Sequence, residues 1–424
     1  MRFYPSQFIY TFCILSFLLS NGNAEDTFTL HGQIQFNDDG MGYGGSDVWG
    51  YTSLDGEDYA MMGILDGVVF IRVEDMTIID TVLGPMQSDP YFHRDIKTFE
   101  NYAFVVSENT GTNEGMQIID LSFLPDSVSL ASTYIYNDHI RSHNMSIDVS
   151  TGFAYVLGQN REGVRIIDIN NSEDPQEIHY IFTEQIHDVF ARNDTVYIAE
   201  GWRGTFSMYD VSQKTSPELI VRVDIPENGY VHTVWPSDDG KYVTTTEETA
   251  TKTVKIWTIE DLENIHVVGE YLGSNLVAHN AQVMGSRLFI SNYTYGMSIV
   301  DFSDPVDLIE SAHFDTYTDN DDPSPPWAGN WGIYQYTEND FVFGSDINGL
   351  FTVMKYYKGL DNGVFYGDVN EDEIIDNMDI ILIVNMILYN LGLTESQHTL
   401  ADLNFDDIIN IFDIYLLAEL INNN

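Results

Sequence analysis

Apolar residues recur along the chain in short alternating runs rather than at helical spacing. One seven-residue run returns seven times: residues 67–73 (GVVFIRV), 115–121 (GMQIIDL), 163–169 (GVRIIDI), 205–211 (TFSMYDV), 253–259 (TVKIWTI), 296–302 (GMSIVDF) and 349–355 (GLFTVMK). Its sixth position falls at Arg72, Asp120, Asp168, Asp210, Thr258, Asp301 and Met354, at intervals of 48, 48, 42, 48, 43 and 53 residues. β-Branched and aromatic residues dominate these runs, which favours strands over helices. Two further strand-like runs precede each copy, as at 188–191 and 195–199. Four copies lead through a turn containing Pro125, Pro175, Pro217 or Pro305 into another. Each unit is therefore about four short strands, the period and composition of a propeller blade. The expected body is an all-β, seven-bladed β-propeller over residues 25–357. The seventh unit lacks its outer strand, and residues 28–36 (FTLHGQIQF) have no unit of their own. They are expected to close the ring as that missing strand, because closure removes exposed edges.

The two ends of the chain follow different patterns. Near the start, Arg2 precedes a 12-residue apolar run at 8–19, with small residues up to Ala24 before Glu25 and Asp26. That pattern predicts a secretory signal peptide over residues 1–24, too short to span a bilayer. It also holds Cys13, the single cysteine, so no disulfide is expected in the chain that remains. After the last blade, residues 361–424 contain 13 acidic residues and neither Lys nor Arg. Two loops recur there at an offset of 34, DVNEDEIIDNMD at 368–379 and DLNFDDIINIFD at 402–413, each followed by an apolar helical run at 380–388 or 414–421.

Both loops follow an EF-hand-like pattern, with oxygen ligands at positions 1, 3, 5, 9 and 12 and a carbonyl at position 7. The first set is Asp368, Asn370, Asp372, Ile374 (carbonyl), Asp376 and Asp379. The second is Asp402, Asn404, Asp406, Ile408 (carbonyl), Asn410 and Asp413. Two Ca²⁺ sites are expected, the first the weaker. Position 6, where glycine eases a left-handed turn, is Glu373 in the first loop and Asp407 in the second. A side chain there costs roughly 1–2 kcal/mol, and Asp tolerates it better than Glu.

Aligning the innermost strands of the units places Trp49, His93, His143, His187, His232, His279 and Trp331 together, so five of the 11 histidines fall at one position. Innermost strands line a propeller's central channel, and these rings are expected to meet near one mouth. The loop at 319–323 is expected on the same face. Three readings stand: imidazoles bridging blades structurally, a site for Zn²⁺, Cu²⁺ or Fe²⁺ with Asp188 or Asp95 steadying the rings, or a small-ligand site.

The repeats, with the DVWGY at 47–51, RDIK at 94–97, Trp331 and SDINGLFTV at 345–353, resemble the secreted LVIVD-repeat propellers, also called choice-of-anchor B proteins. That resemblance implies attachment to a surface or secretion system through a C-terminal module. The duplicated loop-helix pattern over 367–424 resembles a type I dockerin, a small α-helical domain, joined by a linker at 358–366. It implies folding on Ca²⁺ and binding of a cohesin-type domain or surface scaffold protein. Partner choice would fall to Asn377, Met378, Ile411 and Phe412.

Charge narrows the remaining possibilities. With 17 Lys+Arg against 66 Asp+Glu, the net charge is −49, or −50 once Arg2 is removed, which disfavours nucleic acid and anionic membranes. A hydrophobic content of 44% argues for a folded chain rather than an acidic disordered one. No other stretch is long and apolar enough to predict a membrane span. No Gly-x-Ser-x-Gly elbow, His-Glu-x-x-His or P-loop occurs. The expected role is thus a secreted binding or interaction module, with a glycan, protein or small ligand on the propeller face. A metal-dependent oxidase or hydrolase using the histidine ring is the alternative, and a purely structural surface component a third.

Overall fold

The computed structural model describes residues 27–36, 43–85, 93–109, 111, 114–136, 141–158, 162–273, 277–318, 327–335, 337, 339–357, 367–370, 374–389, 392, 394–403 and 408–423. The expected signal peptide, the loop at 319–323, the linker at 358–366, and Asp372, Glu373, Asn404, Asp406 and Asp407 lie outside these residues.

Among the described residues, 28 strands form seven four-stranded sheets, the blades of a β-propeller. The repeated run is the third strand of every blade: Gly67–Arg72, Met116–Asp120, Val164–Asp168, Thr205–Asp210, Val254–Thr258, Met297–Asp301 and Leu350–Tyr357. Its conserved-looking features each have a local cause. The leading glycine has φ of 106° at Gly115, 72° at Gly163 and 84° at Gly296, a left-handed backbone that L side chains rarely adopt. The aspartate at position six ends the strand in an Asx turn, Asp120, Asp168, Asp210 and Asp301 accepting the N–H of Ser122, Asn170, Ser212 and Ser303 at 2.8–3.0 Å. Between positions four and five, six blades carry a register shift toward the outer strand, as at Ile166/Ile167 and Ile299/Val300. Such bulges raise the local twist at a sheet's edge.

Closure occurs as expected. Thr27–Gln35 pairs with Leu350–Tyr357 as the outermost strand of the seventh blade. Phe36 N–H donates to Gly349 O at 2.8 Å and Gln33 Nε2 to Thr352 Oγ1 at 3.0 Å, so the strands run in opposite directions. Apolar cores lie between neighbouring blades. The one joining blade one to blade seven contains Val48, Met62 and Ile71 from one side and Phe343, Phe351 and Val353 from the other.

Phe28–Tyr356 form one compact unit; the segment from Tyr357 belongs to a second. There, helices α1 (Asn377–Tyr389), α2 (Glu395–Ala401) and α3 (Ile411–Asn423) surround Val369, Ile383, Met386, Ala401 and Leu417. Helices α1 and α3 start three residues before the apolar runs that predict them, because Asp376 and Asn410 accept the N–H of Met378 and Phe412 at 2.6 and 2.8 Å. No helix was expected over α2, where Thr394 and Gln397 form a reciprocal capping box.

Candidate functional sites in the channel and in the acidic loops

The innermost strands are Gly45–Thr52, Arg94–Phe99, Met145–Asp148, Asp188–Arg192, Val231–Pro236, Asn280–Met284 and Asn330–Tyr334. A polar belt ties several to their neighbours. Asp47 accepts the N–H of Ile96 at 3.0 Å, Asp95 that of Met145 at 2.5 Å and Asn144 that of Val189 at 3.0 Å. Thr233 Oγ1 bonds both Asp188 at 3.0 Å and Asn280 at 2.7 Å.

The residues just before this belt carry the aromatic ring. His93, His143, His187, His232, His279 and Trp331 form a closed circuit with successive ring centroids 5.2, 4.6, 3.7, 4.2, 4.1 and 4.7 Å apart. All five expected histidines therefore meet, with Trp331. Trp49 does not join them. The belt bonds show that Ser46 and Asp47 occupy the register of His143 and Asn144, so Trp49 lies two residues beyond the belt. It packs on Tyr334, centroids 4.7 Å apart, with Lys97 Nζ 4.2 Å from its ring. The inner-strand alignment failed there by misplacing the register of blade one.

His93 reaches the ring by a different route from the other four. Arg94 holds the equivalent backbone place, and its buried guanidinium turns away to Ile64 O, Leu65 O and Pro85 O at 3.1, 3.0 and 2.9 Å. Burial lowers this guanidinium to about 10.

The ring separates two cavities. One, about 410 Å³, is lined by inner-strand residues beyond the ring, including Asp47, Trp49, Asp95, Lys97, Asp188 and Trp235. The other, about 650 Å³, is lined from the opposite side by Tyr43, Trp202, Tyr230, Glu248, Tyr293 and Trp327. The second is strongly aromatic, with Trp202 70% and Trp327 44% exposed.

Burial sets the ring's electrostatics. His187, His232 and His279 are at most 3% exposed. His279 Nδ1 donates to Trp331 O at 2.6 Å, leaving Nε2 buried without a hydrogen-bond partner among the described residues. Desolvation lowers its pKa to about 3 despite that bond. Desolvation, then the charges of His187 and His279, also hold His232 well below the usual histidine value. In the Asp47–Asp95–Lys97 group, Lys97 Nζ sits 2.5 Å from Asp95 and 3.3 Å from Asp47. Burial is the main cause pushing Asp95 up, with Asp47 adding to it and Lys97 opposing it.

Two carboxylates at the ring were absent from the expected set. Glu108 and Glu248 each follow the second strand of their blades, Tyr102–Ser107 and Tyr242–Glu247. Glu108 lies 3.5 Å from His93 Nδ1 and 3.3 Å from His143 Nδ1; Glu248 lies 4.0 Å from His232 Nε2. Aligning the second strands as well as the innermost would have found them. Asp188 is at the ring, 3.0 Å from His187 Nδ1, whereas Asp95 bonds Lys97 and Met145.

In the helical unit the last aspartate of each loop accepts two backbone N–H groups, one of them from position 9 in both loops. Asp379 accepts the N–H of Asn370 at 3.1 Å and of Asp376 at 2.9 Å; Asp413 accepts those of Leu403 at 2.9 Å and Asn410 at 2.8 Å. Asp368, Asp379, Asp402 and Asp413 are at most 6% exposed. An all-oxygen set of this kind is of the chemistry that suits a hard cation such as Ca²⁺. Asp376 and Asn410, at position 9 of each loop, are half-buried, while Ile374 and Ile408 are exposed. The proposed partner-choosing residues Asn377, Met378, Ile411 and Phe412 are all exposed at the starts of α1 and α3.

Comparison with known proteins agrees with this architecture. The LVIVD repeat model matches residues 143–182, 186–225 and 278–316, and the dockerin type I domain model matches residues 366–422. Type I dockerin domains generally bind calcium and cohesins. Similar solved structures include the RRP9 WD40 repeats (TM-score 0.54, 8% identity, 80% of this chain and 99% of that one). U3-55K is similar too (0.54, 8%, 79% and 100%), as is the Cps50 (Swd1) propeller domain of Myceliophteria thermophila (0.53, 11%, 78% and 99%). At these identities the likeness is one of fold. No curated protein matches the chain significantly. Among the described residues, no helix is long and apolar enough to cross a membrane.

Proposed function

Starting from a seven-bladed propeller with LVIVD repeats and a type I dockerin domain, we propose that this protein is a secreted interaction module. The dockerin, loaded with Ca²⁺, holds the chain to a cohesin-type domain on a surface or scaffold, and the propeller presents its aromatic cavity to a ligand. The observation that carries the reading is the repeated apolar surface of the helical unit. Met378 and Ile381 on α1 are 57% and 50% exposed, and Phe412 and Tyr415, at the same offset of 34, are 64% and 59% exposed. Large apolar side chains left in water on paired helix starts favour a partner.

In each loop, Asp368 or Asp402, the position-9 residue and Asp379 or Asp413 would hold the ion, with Asn370, Asp372, Asn404 and Asp406 completing the sets. The ion neutralises the buried carboxylates and so stabilises the loop from which each helix starts. On the propeller, Trp202, Tyr230 and Trp327 offer flat faces suited to a sugar ring or another apolar face.

The test uses the full chain on a panel of immobilised cohesin-type domains. Retention in Ca²⁺, loss in chelator and loss on combined Asp379→Ala and Asp413→Ala substitution are expected. Retention that survives the chelator, or none on any domain, would overturn the attachment half of the proposal.

A further inference from the structure

We propose that His93, His143 and Glu108 form a binding site for one divalent first-row transition ion, Zn²⁺ foremost, at one edge of the histidine ring. His93 Nδ1 and His143 Nδ1 are 3.4 Å apart; Glu108 Oε2 lies 3.5 Å from the first and Oε1 3.3 Å from the second. Three ligands about 2.0–2.1 Å from one ion at tetrahedral angles are separated by about 3.3–3.4 Å. An octahedral face at that radius would need about 2.9 Å. The same spacings are long for charge-assisted hydrogen bonds, which fall near 2.7–2.9 Å. The nitrogen–nitrogen edge therefore matches a tetrahedral site, and the carboxylate turns one oxygen toward each imidazole to complete it.

Tautomers agree with this placement. His187 Nδ1 donates toward His232 O at 3.2 Å and lies 3.0 Å from Asp188, which leaves its Nε2 as an acceptor. His143 Nε2 is 3.1 Å from that nitrogen; with both imidazoles neutral it carries the proton, and the lone pair of His143 then sits on Nδ1, facing Glu108. A ligating histidine that donates its other N–H to a partner leading to a carboxylate is a recurrent support for bound metal. Access also favours this edge: the side chains of His93 and Glu108 are 20% and 26% exposed, and His143 is 8% exposed.

Two other groups of the ring fit less well. In His143–His187–Asp188, the carboxylate lies against the opposite nitrogen of His187 from the one facing His143. In His187–His232–Glu248, the two imidazoles overlap at a 37° tilt with centroids 3.7 Å apart, and the carboxylate is 4.0 Å away. The inference does not rest on the dockerin reading, because all its ligands belong to the propeller.

The experiment loads the full chain with Co²⁺ or Zn²⁺ in buffer containing Ca²⁺, so that the acidic loops are filled, and measures retained metal after dialysis. About one transition ion per chain is expected, with the intense visible absorption of tetrahedral Co²⁺. His93→Asn and Glu108→Gln should each weaken binding at least about tenfold, and His187→Asn, acting through His143, by about 10–100-fold. His279→Asn, across the ring, should leave it unchanged. Only trace metal in the unsubstituted chain, or wild-type affinity in the His93 and Glu108 variants, would overturn the site. Equal weakening by His279→Asn would also overturn it. The stoichiometry and spectrum of the unsubstituted chain decide the matter even if a variant fails to fold.

Discussion

His279 shows how one buried residue links the channel to stability. Its imidazole is 1% exposed, packs on His232, Tyr293 and Trp331, and is held neutral with a pKa of about 3 by burial. In the unfolded chain a histidine titrates near 6.5. As pH falls below about 6.5 the unfolded state takes up a proton that the folded state refuses, so stability present above that pH is lost toward pH 3. The slope is about 1.4 kcal/mol per pH unit for each such group, and His232 shifts in the same direction. In melting curves from pH 7 to pH 4, the advantage of the native protein over His279→Asn should shrink as pH falls. A constant difference between the two would contradict this account. At this scale the sequence was legible where a residue type serves a local bond: the position-six aspartates recur in four blades and the ring histidines in five, each at one structural place. Glu108 and Glu248 were not legible, because they follow second strands whose register the inner-strand alignment ignored. Trp49 was misplaced because blade one has Ser46 at the ring register, with no aromatic residue there to mark it, and Trp49 stands three residues on.

Among the elements, the N-terminal strand bears the largest share of the architecture for its length. Without Thr27–Gln35 the final strand Leu350–Tyr357 would become an edge, exposing a row of backbone groups. The strand also brings Phe28 onto Tyr356, with centroids 6.5 Å apart, and places Ile34 and Phe36 against the core between blades one and seven. Complete burial of such a side chain contributes about 1.5–3 kcal/mol, and these half-buried ones contribute a part of that each. Deleting residues 25–40 should therefore lower the melting temperature of the propeller by on the order of 10 °C or more; an unchanged melting curve would show that the ring closes without it. Strand order and closure were readable because a missing outer strand at one end matched a surplus strand at the other. The recurrent bulge was not, since its extra residue falls on the outer strand and is of no constant type, as at Ile178, Ile220 and Ser311. Helix α2 escaped notice because its apolar face is short, and its signal is the Thr394–Gln397 cap rather than periodicity.

At the scale of the molecule, the charge imbalance becomes a force on the fold. Even if every one of the 17 cations paired with one of the 66 carboxylates, 49 acidic groups would remain without one. Thirteen of the acids lie in residues 361–424, where two Ca²⁺ would offset four charges; the other residues after Ala24 carry a net −37. Several cations are committed inside the blades, Arg222 to Glu200 at 2.8 Å and Lys255 to Glu247, and salt screens such sheltered pairs little. Repulsion among the exposed carboxylates is screened readily, because the Debye length falls from about 30 Å at 0.01 M to about 8 Å at 0.15 M. Added NaCl should accordingly raise the melting temperature of the Ca²⁺-saturated protein, by on the order of 5 °C, with most of the gain below about 0.3 M. A melting temperature that stays flat or falls over that range would mean the acidic surface costs the fold nothing. A gain appearing only near molar salt would point instead to solvent exclusion from the apolar cores.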